Sequence, residues 1–419
     1  MILTFVSAYL LIQLVISFVV SKYIKSESDF FLAGKKIPLW LLSFSLFATW
    51  FGAETTIGTS GAVFNEGLSG SRADPFGYSL CLFLMGLLIT TKLWAGGYTT
   101  LADFFKERFN SKVEKLAVII IVPSSLLWGS AQMRAFGQVV SSMTDWDLNL
   151  TLWIAFLFVT VYTLLGGLLG DIITDFIQGL MIAIGLLLIL YFVLQSDFDF
   201  GTWWSEYPAD KLTFKKSEES LWQRLDRWSI PIFGSLIAQE LISRVLSAKS
   251  AKVAKYSAYV SGCIYLLFGS IPVLLGLMGP SLLQDLTHHE DFIIKLAETY
   301  LPTFAFVIFS GALISAILAT IDSILLSSSA MISHNILVPT LKLKTKKQKI
   351  LSARIMVVIS ALISLAVAFS SDSIYELVEV ASSFGTAGVL VVTLCGLHSK
   401  WGGQLSAYLA LVAGLITLP

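Results

Sequence analysis

Long apolar runs alternate with short polar joints along almost the whole chain. About twelve runs of membrane-spanning length can be drawn, near 2–22, 38–60, 76–96, 115–140, 148–166, 169–194, 228–246, 252–279, 302–336, 350–371, 374–396 and 403–419. Roughly 20 apolar residues in a helix cross a hydrocarbon layer of about 30 Å, so the pattern predicts an all-α polytopic membrane protein. Two runs are interrupted. The second carries Gly52 at mid-span, with Glu54 beyond it, and the seventh is short and broken by Pro231 and Gly234. Such residues at mid-span predict broken helices whose freed carbonyls face a cavity. A kinked helix packed through glycine is the alternative; Glu54 weighs against it, because an unpaired acid there is expensive.

Five spans beginning with the second precede the polar stretch 197–227, and five beginning with the seventh follow it. An odd number of spans per unit inverts the second unit relative to the first. The expected organisation is therefore an N-terminal extra helix and cytoplasmic approach (1–37), a first five-helix repeat (38–196), an extracellular loop (197–227), a second, inverted repeat (228–396) and at least one extra C-terminal helix (397–419). Placement and hydropathy carry this five-plus-five inverted-repeat core; no residue-level repeat is visible. The last run is still apolar at Pro419, as expected of a chain cut short there. The first run lacks a basic start and a small-residue cleavage site, so it reads as a membrane helix and not a signal peptide.

The ninth span is the most polar inside an apolar setting. At 100° per residue Ala316, Thr320, Ser323 and Ser327 share one stripe, with Ala319 and Asp322 beside it. Hydroxyls and small residues alone fit a helix-packing seam. A carboxylate at mid-span costs about 2.5–3.5 kcal/mol, and with Asp322 the set suits a dehydrated hard cation. In the sixth span Asp171, Thr174, Asp175 and Gln178 form a second polar stripe; Asp171 stands closest to the cytoplasmic interface. The fourth holds Trp128 and Arg134, the only basic residue deep in a predicted core span.

Composition agrees: hydrophobic residues make up 56% of the chain and charged ones 13%, with a mean hydropathy of +0.79. Net charge is zero, which points to no nucleic-acid partner; the partners expected are a small-molecule solute and the lipid bilayer, with no obligate protein partner. Basic residues gather at Lys22–Lys36, Lys106–Lys115, Lys249–Lys255 and Lys342–Lys349. The positive-inside rule then places the N-terminus outside and these loops in the cytoplasm of a plasma-membrane protein. Cys81, Cys263 and Cys395 read as small buried hydrophobes. The four histidines show no metal spacing and no nucleophile motif emerges, so an enzyme is not expected. A channel would need a repeated filter, and a sensor an appended soluble domain; neither is visible.

The approach Ser26–Lys36, the Ala48–Gly58 stretch, Tyr162–Leu168 with Thr174–Gln178, Arg244–Ser250 and Ala316–Ser323 together resemble the sodium:solute symporter family, in order and at matching spacing. The likeness is strongest to its choline-transporting members and weaker to its proline permeases and sodium–glucose transporters. It implies a leucine-transporter-type core and sodium as the coupling ion, with no organic cofactor. It implies a sodium site of carbonyls from Ala48, Phe51 and Ala316 with the Thr320 hydroxyl; Ala319 stands where many members carry serine. It also implies a possible second sodium site at Asp175, Asp322 and Ser323.

For the solute the resemblance points to an aromatic cage of Trp50, Tyr78 and Trp128, near Glu54 and Gln239. The chain departs from the choline-transporting pattern at Ala238, where a further tryptophan is expected, and at Arg134, where a small polar residue is expected. A guanidinium in the cavity would repel an ammonium and welcome a carboxylate. The expected activity is therefore sodium-coupled uptake of a small carboxylate-bearing or zwitterionic solute, such as an amino acid or betaine. The alternative is choline or another quaternary ammonium.

Overall fold

The computed structural model describes residues 2–144, 146–216, 219–283, 286, 288–371, 377–378, 381 and 386–416. Pro419 and much of the first half of the predicted span 374–396 lie outside the described residues. Those described are helical nearly throughout. An isolated bridge joins Ile37 to Ala248, through Ile37 N–H to the Ser247 carbonyl (3.2 Å) and Lys249 N–H to the Ile37 carbonyl (3.1 Å).

In chain order the helices are α1 (Ile2–Ser21), α2 (Glu27–Leu32), α3 (Leu39–Trp50), α4 (Thr59–Glu66), α5 (Tyr78–Leu88), α6 (Thr90–Gly96), α7 (Leu101–Arg108), α8 (Ser111–Thr144) and α9 (Leu148–Leu194). After the loop come α10 (Phe200–Glu206), α11 (Leu221–Phe233), α12 (Gln239–Ser247), α13 (Ala251–Leu282), α14 (Phe292–Tyr300), α15 (Thr303–Ala330), α16 (Lys346–Ser370), α17 (Thr386–His398) and α18 (Gln404–Ile416). Among the described residues five helical stretches are long and apolar enough to cross a membrane alone, or up to seven if each of two bent pairs is one span. Shorter apolar helices include Leu39–Trp50 and Gln404–Ile416.

The interruptions read from the sequence are breaks in the fold. α3 ends at Trp50 and helix resumes at Glu54. α11 gives way at Gly234 to the tight turn Gly234–Ile237, and α12 is bent 45° from that stretch at the non-helical Ala238. A further bend of 49° lies between Leu88 and Thr90, one turn after Gly86, whose carbonyl accepts from the Thr90 hydroxyl at 3.2 Å. α9 would be about 70 Å long if straight, more than twice the hydrocarbon layer. It breaks at Gly167, whose φ of 51° lies where side chains are strained; a Cβ there would sit 2.8 Å from the Phe30 carbonyl oxygen.

α15 is the centre of the molecule. Every residue from Phe309 to Ala330 is buried, and the helix packs chiefly on α9 and α8. Apolar side chains such as Leu11, Leu157 and Leu267 cover the outside instead, as lipid-facing residues do. Two cysteines share that outer surface. Cys263 and Cys395 are exposed and only Cys81 is buried, because the first two lie on the outer faces of α13 and α17. The long loop is tied down by charge: Arg72 Nη1 reaches the Glu219 carboxylate at 2.6 and 2.7 Å, and Lys216 pairs with Glu66 at 2.7 Å. Burial works against ionising Glu219, but the Arg72 guanidinium holds its carboxyl below the ordinary value.

Candidate ion and solute sites at the broken helices

Breaking α3 leaves backbone groups without helical partners, and side chains from three other helices take them up. The Thr320 hydroxyl of α15 donates to the Thr49 carbonyl at 2.9 Å, with the Ala316 carbonyl at 3.2 Å. The Tyr265 hydroxyl of α13 lies 3.2 Å from the Trp50 carbonyl. The Gln132 side-chain oxygen of α8 accepts from Ala53 N–H at 3.1 Å. A Cβ at Gly52 would sit 2.6 Å from a Glu54 carboxylate oxygen, so a larger residue here would displace the Glu54 side chain.

Ala48, Phe51, Ala316, Ala319 and Thr320 are all fully buried around this junction. The carbonyl nearest the Thr320 hydroxyl belongs to Thr49, a residue the sequence reading did not select. The Ala319 carbonyl accepts from the Ser323 hydroxyl one turn on at 2.5 Å. The arrangement offers two carbonyls and one hydroxyl that can turn its lone pairs inward, the hard oxygen donors a small cation requires.

One turn away lies a denser cluster. Asp171, Asp175 and Asp322 bring carboxylate oxygens within 4.8 Å of one another, all buried. Arg244 of α12 enters between them, with Nη2 at 2.8 Å from both Asp171 and Asp175 and Nε at 2.9 Å from the Ser45 hydroxyl. Nη2 also donates to the Ser323 hydroxyl. One oxygen each of Asp175 and Asp322 is buried without a partner. One expectation changes here: Arg134 is not the only deeply buried basic residue, since Arg244 is 1% exposed; Asp171, 3% exposed, is ion-paired to it. The Arg-Val-Leu-Ser stretch, lying within an apolar run beside two acid-bearing spans, was the signal; a buried arginine implies a buried acid partner.

The solute candidates divide. Trp50, Tyr78, Trp128 and Ala238 line one cavity together with Ser124, Ser125 and Glu240. The Trp50 ring lies 5.6 Å from Tyr78 and 4.9 Å from Trp128, edge to face in both pairs. The Trp50 indole nitrogen and one Glu240 oxygen are buried with no partner. Glu54 stands behind the cage, accepting from the Trp128 indole at 3.0 Å and from Gln132 at 2.5 Å. Gln239 turns away, bonding Leu101 N–H and the Ser243 hydroxyl at 2.9 Å each. Arg134 does not line the cavity: α8 carries it further along, where Nη1 donates to the Ala368 carbonyl of α16 at 3.1 Å. Among the described residues the cavity lining contains an acid and no base. The sequence offers Glu240 only as a partner for Arg134 and Gln239 as the solute contact, because the two are adjacent at the start of α12 and nothing in the spacing tells which faces inward.

The model of the sodium:solute symporter family matches residues 30–415. The human high affinity choline transporter 1 is 29% identical over 404 residues, covering 91% of this chain and 69% of that protein. The Drosophila melanogaster high-affinity choline transporter 1 is 26% identical, and this chain covers 65% of its length. A Staphylococcus aureus sodium/proline symporter is 25% identical over 439 residues, covering 99% of this chain and 84% of that protein. Among solved structures, a Na+-coupled sialic acid symporter in a substrate-bound outward-open state superposes with a TM-score of 0.81 at 17% identity, covering 100% of this chain and 96% of that one. A nucleobase-cation-symport-1 family transporter in a closed conformation gives 0.63 at 13% identity, covering 94% and 92%.

Proposed function

The chain belongs to the sodium:solute symporter family, and on that premise we propose that it couples inward sodium flow to uptake of a small organic cation of the choline type. One observation carries the choice: the cavity that gathers Trp50, Tyr78 and Trp128 also holds a Glu240 oxygen without a partner. Aromatic faces attract a cation through their quadrupoles, and a carboxylate completes its neutralisation. The case for a carboxylate-bearing solute leaned on Arg134, which stands outside this lining. A zwitterion remains the second reading, supported by the likeness to a sodium/proline symporter.

The first sodium ion binds where carbonyls of Ala48, Thr49, Phe51 and Ala316 meet Thr320, beside Ala319. Asp171, Asp175, Asp322 and Ser323 form the second cation site, which Arg244 shares. Three carboxylates against one guanidinium leave room for a further positive charge. The protein sits in the plasma membrane with its N-terminus outside and its lysine-rich loops in the cytoplasm. Uptake of labelled choline, glycine betaine and proline into proteoliposomes, with and without an inward sodium gradient, tests the reading. Sodium-driven choline uptake is the expected result. Sodium-driven proline uptake that choline does not inhibit would transfer the assignment to the zwitterion.

A further inference from the structure

Arg354 is set apart from the other arginines. Arg72, Arg224 and Arg227 face Glu219, Arg244 holds Asp171 and Asp175, and Arg108 and Arg134 reach backbone carbonyls. Among the described residues Arg354 forms no ion pair and no hydrogen bond, and its Nε is buried without a partner. It lies in a groove between α9 and α16 whose other walls are Leu164, Leu165, Ile355 and Val358. The outer surface around the groove is apolar: Leu157 is exposed on α9, and Leu351, Ile355 and Leu362 on α16. Arg354 comes eight residues after Lys346, about 12 Å along the helix. It is thus on the end of the molecule that carries Lys342, Lys344, Lys346, Lys347 and Lys349.

An arginine on a lipid-facing surface needs an anion or a route to the headgroup layer. This one is within a long side chain's reach of that layer, and its walls offer hydrocarbon on either side. Basic pockets between membrane helices on the cytoplasmic side take anionic lipid headgroups. We propose that the groove is an anionic-phospholipid site, in which the lipid phosphate pairs with the Arg354 guanidinium and an acyl chain lies against Leu164, Leu165 and Val358. The apolar walls select a lipid over a free phosphate, and the unpaired guanidinium selects an anionic headgroup over a zwitterionic one.

Binding of spin-labelled phosphatidylglycerol and phosphatidylcholine to the reconstituted full chain tests this, in the parent, Arg354→Gln and Arg354→Lys. The parent should prefer phosphatidylglycerol, Arg354→Gln should lose about fivefold of that preference, and Arg354→Lys should keep most of it. Millimolar inorganic phosphate should leave the bound lipid in place. Equal preference in the parent and Arg354→Gln overturns the proposal. So does displacement of the lipid by inorganic phosphate, which would mark a simple phosphate site. Should Arg354→Gln fail to fold, the parent and Arg354→Lys decide: a parent without headgroup preference refutes the site.

Discussion

Glu240→Gln reverses sign between the two solute classes, so it discriminates them better than loss of an aromatic wall. The substitution keeps the shape of the side chain and removes its charge. A cation seated on the faces of Trp50 and Trp128 would lie within about 6 Å of their ring centres, and Glu240 lines the same cavity. At about 5 Å and an effective dielectric constant near 20, the carboxylate and an ammonium attract by about 3 kcal/mol. Water entering an open cavity reduces this, so the loss in choline affinity should lie between about tenfold and two-hundredfold. A neutral isostere, 3,3-dimethyl-1-butanol, should change by less than about threefold, since its burial against the rings is untouched. A carboxylate-bearing solute should bind better in the variant. Inhibition of labelled uptake in proteoliposomes at fixed sodium measures all three. If choline and its neutral isostere weaken equally, Glu240 is structural; if choline affinity stays within threefold of the parent, the electrostatic argument fails.

Thr320→Ala should raise the half-activating sodium concentration by roughly tenfold and change saturating uptake much less, as read from sodium titrations of initial rates. Asp322→Asn should lower the number of sodium ions carried per solute; each charge moved is worth about 2.3 kcal/mol per 100 mV, so charge-to-solute ratios and voltage dependence report the loss, and an unchanged ratio makes the acid structural. Glu219→Gln should destabilise the 197–227 loop by roughly 1–3 kcal/mol by stranding Arg72, seen as a lower melting temperature and faster proteolysis within it. Because the folded-state pKa of Glu219 lies below its unfolded value, that stability is present above about pH 4.3 and is lost as pH falls through the lower, folded value. A parent and variant with the same acid sensitivity would refute this pairing.

The sequence announced its helices and breaks well, because their causes are local. Gly52 and the Pro231–Gly234 pair sit inside apolar runs, and both mark places where α-helix stops. Asp175, Asp322 and Ser323 were readable for a similar reason: polar groups in hydrocarbon are costly enough to be informative one at a time. Partner choice was not readable. Arg134 and Arg244 are equally conspicuous in the chain, yet one meets a carbonyl of α16 and the other two carboxylates of α9. Only the packing of α8 and α12 decides that. Gln239 and Glu240 make the same point at one-residue resolution, since a helical step of 100° separates a residue facing α7 from one facing the cavity. The bend at Ile89 follows Gly86 by three residues, a signal the sequence reading passed over.

The proposed ion and solute sites meet in the last turn of α3. The Thr49 carbonyl accepts from Thr320, while the Thr49 hydroxyl donates to the Ser45 carbonyl at 2.7 Å. Ser45 in turn donates to Asp175 at 2.5 Å and accepts from Arg244. The next residue, Trp50, places its ring in the cavity and its carbonyl beside Tyr265, whose hydroxyl also lies 2.7 Å from the Thr55 hydroxyl and 3.0 Å from Asp74. On the proposed function, a sodium ion drawing in the Thr49 and Ala316 carbonyls would fix backbone one residue from the cage's central ring, in the last turn of α3 just before the break. Ordering that residue in advance removes part of the cost of seating the solute. Linkage makes the effect reciprocal: whatever factor sodium adds to solute affinity, typically 5–150-fold, solute adds to sodium affinity. On this proposal coupling needs no long-range relay, because ion and solute would act on adjacent residues of one interrupted helix.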